Sequence, residues 1–92
     1  MLKTFLITIK GKVQGVYFRE SARQKATALG LTGTAENLPN GDVQIFVTGD
    51  DTAINNIIEW CHKGPPGANV SEVASEQILP QHYTAFTVRR SH

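Results

Sequence analysis

A segment that runs between two glycines and ends in an arginine has the residue types needed to bind a phosphate. It reads Gly11-Lys12-Val13-Gln14-Gly15-Val16-Tyr17-Phe18-Arg19 and leaves a predicted strand to enter a predicted helix. The backbone N–H groups of a turn before a helix converge and carry a partial positive charge, which suits an anion. Gly15 allows the main chain to approach the anion, and the guanidinium of Arg19 can match two phosphate oxygens. A tight turn beside a solvated arginine is the alternative interpretation.

The same segment lacks the features of the common nucleotide-binding loops. No Gly-Lys-Ser/Thr follows it, as a Walker loop requires, and the Gly-x-Gly-x-x-Gly spacing of a dinucleotide site is missing. We therefore expect no cofactor at this site.

Hydrophobic periodicity predicts the elements that position this segment. Apolar residues alternate along residues 3–10 and recur at helical spacing from Arg19 to Leu29. Asp50 and Asp51 offer cap chemistry to a second helix, whose apolar stripe ends at Cys61. The remaining predicted strands are residues 31–37, 43–48, 69–77 and 85–90. An Asn-Gly turn joins the first two of these strands. The third is expected to contain a bulge or to have two apolar faces.

The order of these elements predicts the fold. It is β-α-β-β-α-β plus a short C-terminal strand, which favours an α+β ferredoxin-like sandwich with two helices on one face of a mostly antiparallel sheet. Strand one is then central, and the third strand lies between it and the second. A length of 92 residues supports one domain over 1–92. The fold alone does not determine function.

Charge and composition narrow the class of protein. Nine Lys+Arg against eight Asp+Glu give a net charge of +1, which argues against a nucleic-acid partner. The apolar runs are too short to span a bilayer, and the first residues are too polar for a signal peptide, so we expect no membrane partner and a cytoplasmic location. His62, His82 and His92 lack ligand-like spacing, so no metal site is expected.

The chain resembles the acylphosphatase family through two signatures. The segment from Gly11 to Arg19 resembles the family's first signature, and the segment from Gly33 to Val43, followed by Gly49, resembles the second. The stretches 63–70 and 86–89 also resemble later segments of the family, so the likeness covers nearly the whole chain in the right order.

This resemblance implies a hydrolase that cleaves the carboxyl–phosphate anhydride of small acyl phosphates. It implies direct attack by water, with no metal and no covalent intermediate. We also expect a monomer whose partner is the small-molecule substrate. The resemblance assigns two catalytic residues, Arg19 to the phosphoryl group and Asn37 to the attacking water. The residues that it assigns to the phosphate-binding loop are Gly15, Val16, Tyr17, Phe18 and Arg19.

Two positions depart from the family pattern. Thr34 stands where an aromatic residue is common, and Glu36 stands where a basic or neutral residue is common. Strand alternation points Glu36 away from Asn37, so we expect the departures to affect efficiency rather than identity.

Several chemically capable residues have structural interpretations that we favour. Cys61 and Trp60 are expected to pack, Asp50 and Asp51 to cap rather than form an acid–base pair, and Arg89 and Arg90 to be solvated at a strand end. Lys12 fits a role in anion steering and an exposed turn position equally well.

Two other function classes compete with the enzyme. One is a phosphate- or carbamoyl phosphate-binding module without turnover, which occurs within larger proteins, whereas this chain has the length of a complete domain. The other is an RNA-binding domain, for which the aromatic-rich central strand and the basic charge are missing.

Overall fold

Five strands and two helices follow one another along the computed structural model, which describes residues 2–90. They are β1 (Lys3–Lys12), α1 (Phe18–Ala28), β2 (Thr32–Asn37), β3 (Val43–Gly49), α2 (Asp51–Lys63), β4 (Asn69–Ile78) and β5 (Phe86–Arg89). The strand order β4-β1-β3-β2-β5 places β3 between β1 and β2, as predicted. Only the β2–β5 pair among the described strands is parallel. The predicted ferredoxin-like sandwich is therefore confirmed.

The core lies between the sheet and the two helices. Ile7 and Ile9 of β1 are fully buried, as the alternation predicts, and β3 contributes a matching set of buried residues. The buried residues of α1 are Phe18, Ala22 and Ala26, and the small side chains of the two alanines let this helix approach the sheet closely. Phe18 packs against Trp60 with 5.2 Å between ring centroids, which joins the start of α1 to α2.

The predicted cap of α2 is confirmed. The Asp50 side chain accepts a hydrogen bond of 2.9 Å from the backbone N–H of Ala53. Asp51 instead forms an ion pair of 2.9 Å with Lys3. Both carboxylates are therefore engaged in structure, at the end of the helix where negative charge is favourable.

The predicted irregularity in β4 is a bulge. Lys10 pairs with Glu72 and Gly11 with Val70, so Ser71 is the extra residue. This bulge brings Val70 and Val73 to the same face of the strand although they are three residues apart. At this point the backbone of β1 has a φ of +124° at Gly11, where an added Cβ would lie 2.2 Å from the carbonyl oxygen of Asn69. A glycine is therefore required where the first strand leaves the regular register.

The thiol of Cys61 is expected to be unreactive in the folded protein. It is fully buried in the core, as predicted, and burial raises its pKa from 9.0 to about 12. The thiolate is the reactive form of cysteine, and the raised pKa strongly reduces its population at pH 8. Burial also keeps a thiol reagent away from the sulfur atom. We expect the native protein to react with Ellman's reagent at least about 100-fold more slowly than the urea-unfolded protein. Equal rates in the two states would show that Cys61 is accessible.

Candidate active site

The segment between β1 and α1 is anchored at both ends and exposed in the middle. Val13 and Phe18 are buried, whereas Tyr17 is 82% exposed. Gly15 has a φ of +77° and Tyr17 a φ of +61°, so the chain turns twice through the left-handed region before the helix begins. Left-handed backbone at a non-glycine residue is uncommon and typical of functional loops.

The first turn of α1 offers unpaired main-chain donors. The first N–H groups of a helix have no acceptor within the helix. Tyr17 is the N-cap residue, and within residues 2–90 no side chain caps this end. Because the helix dipole adds a partial positive charge here, this end favours an anion.

Arg19 and Asn37 line one cavity of about 700 Å³, although they come from different segments of the chain. The lining residues are Val13, Gly15, Tyr17, Phe18, Arg19, Glu20, Asn37, Val88 and Arg90. Of the residues expected in the phosphate-binding loop, Val16 alone is not part of this lining. Val16 is half-buried and packs against the core instead.

The Arg19 side chain is oriented by β5. Its Nη1 donates a hydrogen bond of 2.8 Å to the backbone carbonyl of Arg89. β5 runs parallel to β2, with Arg89 beside Glu36, the residue that precedes Asn37. The last strand thus places Arg19 near the end of the strand that carries Asn37, and it leaves most of the guanidinium donors for a ligand.

Asn37 is the last residue of β2 and is half-buried at the cavity. It pairs with Val43, whereas Glu36 pairs with Gln44 and Thr34 with Phe46. Thr34 and Glu36 therefore share the opposite face of the strand, as alternation predicts. Neither of them belongs to the cavity lining among the described residues.

Two charged lining residues were not among the predicted site residues. Arg90 is exposed just after β5, as expected, and it also contributes to the lining of this cavity. Glu20 also lines the cavity, and it pairs with Arg23, whose Nε lies 2.9 Å from Oε2. The hydrogen bond from Arg23 lowers the pKa of Glu20, so this carboxylate is ionised at neutral pH and is a poor general acid.

The other candidate residues lie elsewhere. His62 and His82 are exposed, His92 lies outside the described residues, and within residues 2–90 no three side chains cluster as metal ligands. Lys12 pairs with Asn69 at the end of β1 and is absent from the described cavity lining. None of the helices described is long and apolar enough to cross a bilayer.

A second cavity, of about 750 Å³, lies over the C-terminal half of α1 and the end of α2. It is lined in part by Lys25, Trp60 and Lys63, and by none of the predicted site residues. Although this cavity is slightly larger, the smaller one holds the convergent polar groups and is the better candidate active site.

A ferredoxin-like domain with an uncapped helix end, an arginine and a strand-end amide around one cavity is typical of a small protein that acts on an anionic ligand. A family model described as Acylphosphatase matches residues 5–88. An acylphosphatase of Coxiella burnetii (strain RSA 493 / Nine Mile phase I) is 48% identical over 83 residues, which are 90% of this chain and 87% of that protein. The chain therefore belongs to the acylphosphatase family.

Solved structures agree with this assignment. A C. burnetii acylphosphatase structure superposes with a TM-score of 0.93 at 45% identity, over 96% of this chain and 93% of that one. The HypF protein of T. kodakarensis matches 100% of this chain with 12% of its own length, at 30% identity and a TM-score of 0.85. The same domain thus also occurs as a small part of a longer protein.

Proposed function

We propose that this acylphosphatase hydrolyses small acyl phosphates in one step, by attack of a water molecule on a phosphoryl group held at the start of α1. The observation that carries the proposal is that Arg19 and Asn37 line the same cavity beside the uncapped helix end. The products are a carboxylate and inorganic phosphate.

Binding of the phosphoryl group is assigned to Arg19 and to main-chain N–H groups from Gly15 to Arg19. The group is doubly charged, and charge on its oxygens must be stabilised as the anhydride bond breaks. Arg19 is already held at one nitrogen by the Arg89 carbonyl, so little ordering of the guanidinium is needed when substrate binds. Arg90 adds positive charge at the same cavity, which favours the approach of an anion.

Asn37 is assigned to the attacking water. Its amide has both a donor and an acceptor, so it can hold a water molecule in a chosen orientation. The leaving carboxylate has a pKa of roughly 4 and departs without a strong general acid. Glu20, ionised and paired with Arg23, is not needed for that step.

Direct attack by water is supported by the chemistry of the cavity lining. The described lining contains no cysteine, serine or histidine, and Cys61 is buried elsewhere in the core. Two lining groups could in principle attack phosphorus, the Glu20 carboxylate and the Tyr17 hydroxyl. Glu20 is engaged by Arg23, and the described lining offers Tyr17 no histidine as a general base. A rapid-quench experiment with radiolabelled acyl phosphate should therefore trap no phosphoenzyme.

Hydrolysis should not require a divalent metal ion. The cavity offers one carboxylate, already paired, and two guanidinium groups that repel a cation. We expect benzoyl phosphate hydrolysis to be unchanged by excess EDTA and not stimulated when Mg²⁺ is added back. Loss of activity in EDTA, restored by a metal ion, would contradict this.

The same benzoyl phosphate assay separates the enzyme from a binding module without turnover. The match to part of HypF makes the module the second candidate. Turnover at the buffer background, with inorganic phosphate still bound, would favour it. We further propose that the chain acts as a single-domain cytoplasmic monomer on a small-molecule substrate, without a nucleic-acid or membrane partner.

A further inference from the structure

Gln14 joins the phosphate-binding segment to the connection that follows Asn37. Its Nε2 donates one hydrogen bond of 2.8 Å to the carbonyl of Leu38 and another of 2.8 Å to the carbonyl of Asp42. A primary amide has two N–H donors, so both are used. The half-buried Gln14 side chain is therefore fully committed as a donor to this connection.

The two acceptors lie at the base of the β2–β3 connection, next to Asn37. Leu38 directly follows Asn37, and Asp42 directly precedes Val43, the strand partner of Asn37. The backbone N–H of Leu38 also donates to the carbonyl of Asp42, at 2.8 Å. Gln14 thus contacts both sides of the turn at the point where Asn37 leaves the sheet.

A second side chain stiffens the same turn from β1. Asp42 is buried, and its carboxylate accepts a hydrogen bond of 2.8 Å from Nζ of Lys10. Asn40 also bonds to Asp42, which closes the turn on itself. The connection is therefore a rigid support next to Asn37, and the two hydrogen bonds of Gln14 fix the start of the phosphate-binding segment relative to it.

The hydrogen bonds of Gln14 directly join the phosphate-binding segment to the connection that follows Asn37. Within residues 2–90, no other hydrogen bond joins segment 13–18 to segment 38–42. Gln14 also directly precedes Gly15, the first residue assigned to the phosphoryl group.

The sheet sets the approximate spacing between bound phosphorus and the Asn37 amide, because Val43 pairs with both Asn37 and Ile9. Gln14 then fixes the segment that carries the bound phosphoryl group after it has left β1.

We propose that Gln14 is a positioning residue, which holds the Asn37 amide at the distance and angle from the bound phosphoryl group that in-line attack by water requires. The inference rests on the proposed function, since it acts through Asn37. Displacing a reacting group by about 1 Å can cost about 100-fold in rate, so a side chain that sets this spacing affects turnover without touching substrate.

The test is a double-mutant cycle between Gln14 and Asn37. Gln14→Met removes both donors at nearly constant shape, and we expect kcat for benzoyl phosphate to fall between about 10- and 100-fold. The inhibition constant of inorganic phosphate should change little, because Arg19 and the main-chain donors remain. In the Asn37→Ala background, Gln14→Met should lower kcat no further, since its effect passes through a side chain that is absent.

Matched variants exclude a loss of folding as the cause. Gln24→Met makes the same chemical change on the exposed face of α1 and should leave kcat unchanged. Gln14→Asn keeps both donors on a shorter stem that does not reach the two carbonyls, and it should reproduce the loss of kcat. Circular dichroism and urea unfolding show whether each variant folds. If Gln14→Met does not fold, the kcat of Gln14→Asn tests the positioning role instead.

The possible outcomes separate the inference from the proposed function. Three results would each overturn the positioning role. The first is an unchanged kcat in both Gln14 variants, and the second is a phosphate inhibition constant that rises in step with the fall in kcat. The third is a double variant in which the two losses of kcat multiply. If Asn37→Ala itself retains full turnover, the proposed function fails at its water-holding step and the inference fails with it. A loss of activity in Asn37→Ala but not in the Gln14 variants would reject the inference alone.

Discussion

Replacing Arg19 with alanine should lower kcat/KM for benzoyl phosphate by about 10³-fold or more, the largest loss expected from any single substitution in this chain. The guanidinium supplies a charge and a planar pair of donors to the phosphoryl oxygens, and both matter more as negative charge accumulates on those oxygens. Substrate binding should weaken as well, because the ground-state phosphoryl group is already an anion. Initial rates over a range of substrate concentrations, with the inhibition constant of inorganic phosphate, measure both effects.

Two further variants show whether the loss of activity in Arg19→Ala comes from the shape of the guanidinium or from its charge. Arg19→Lys keeps the charge but replaces the planar set of donors on three nitrogens with one tetrahedral nitrogen. It cannot keep the Arg89 contact and also place a parallel pair of donors on two phosphate oxygens, so it should recover only a small part of the activity. Lys25→Ala removes one positive charge from the exposed face of the same helix, away from the cavity, and should keep nearly full activity. If Arg19→Ala retained phosphate affinity and turnover, the site would have to be placed elsewhere on the molecule.

The features that the sequence predicted correctly depend on neighbours along the chain. The Asp50 cap is set within one helical turn, and the opposite directions of Glu36 and Asn37 follow from the two-residue repeat of a strand. The bulge in β4 was signalled by the parity of Val70 and Val73 alone. Such local rules fixed the elements and their order, and hence the fold.

The features that were not predicted depend on contacts between distant segments. Arg90 lines the cavity, and the Arg89 carbonyl orients Arg19, because β5 pairs in parallel with β2. The sequence of a short strand such as β5 does not predict which strand it will pair with. The same holds for Gln14, whose amide reaches across to Leu38 and Asp42. The resemblance identified Arg19 and Asn37 without these contacts, but their shared cavity could be seen only in the folded chain.

The parallel edge strand β5 contacts both segments that carry the site. Arg89 pairs with Glu36 in the sheet while its carbonyl accepts from Arg19, so one residue contacts both segments that carry the site. Gln14 provides a second link from the opposite side of Asn37. The geometry of the site is therefore supported from two directions, as catalysis by alignment requires.

Replacing Asn37 with alanine should lower kcat by about 10²- to 10³-fold while leaving the affinity for inorganic phosphate nearly unchanged. The amide is assigned to the water rather than to the phosphoryl group, so its loss affects the alignment of the nucleophile and not the binding of the anion. The exposed Asn56 of α2 provides the matched control, and Asn56→Ala should retain full kcat. Steady-state kinetics with benzoyl phosphate and competitive inhibition by phosphate give the two quantities separately.

The Asn37→Asp variant sharpens this assignment because it nearly preserves shape and adds a negative charge. A carboxylate at the cavity would repel the phosphoryl dianion, so phosphate affinity should fall in this variant but not in Asn37→Ala. At a pH low enough to protonate the new carboxyl, the phosphate affinity of Asn37→Asp should approach that of Asn37→Ala measured at the same pH. The titration of phosphate itself is common to both variants, so it cancels in this comparison. A parallel fall of phosphate affinity and kcat in Asn37→Ala would instead place the amide on the phosphoryl group, and the attacking water would then need another partner at the cavity.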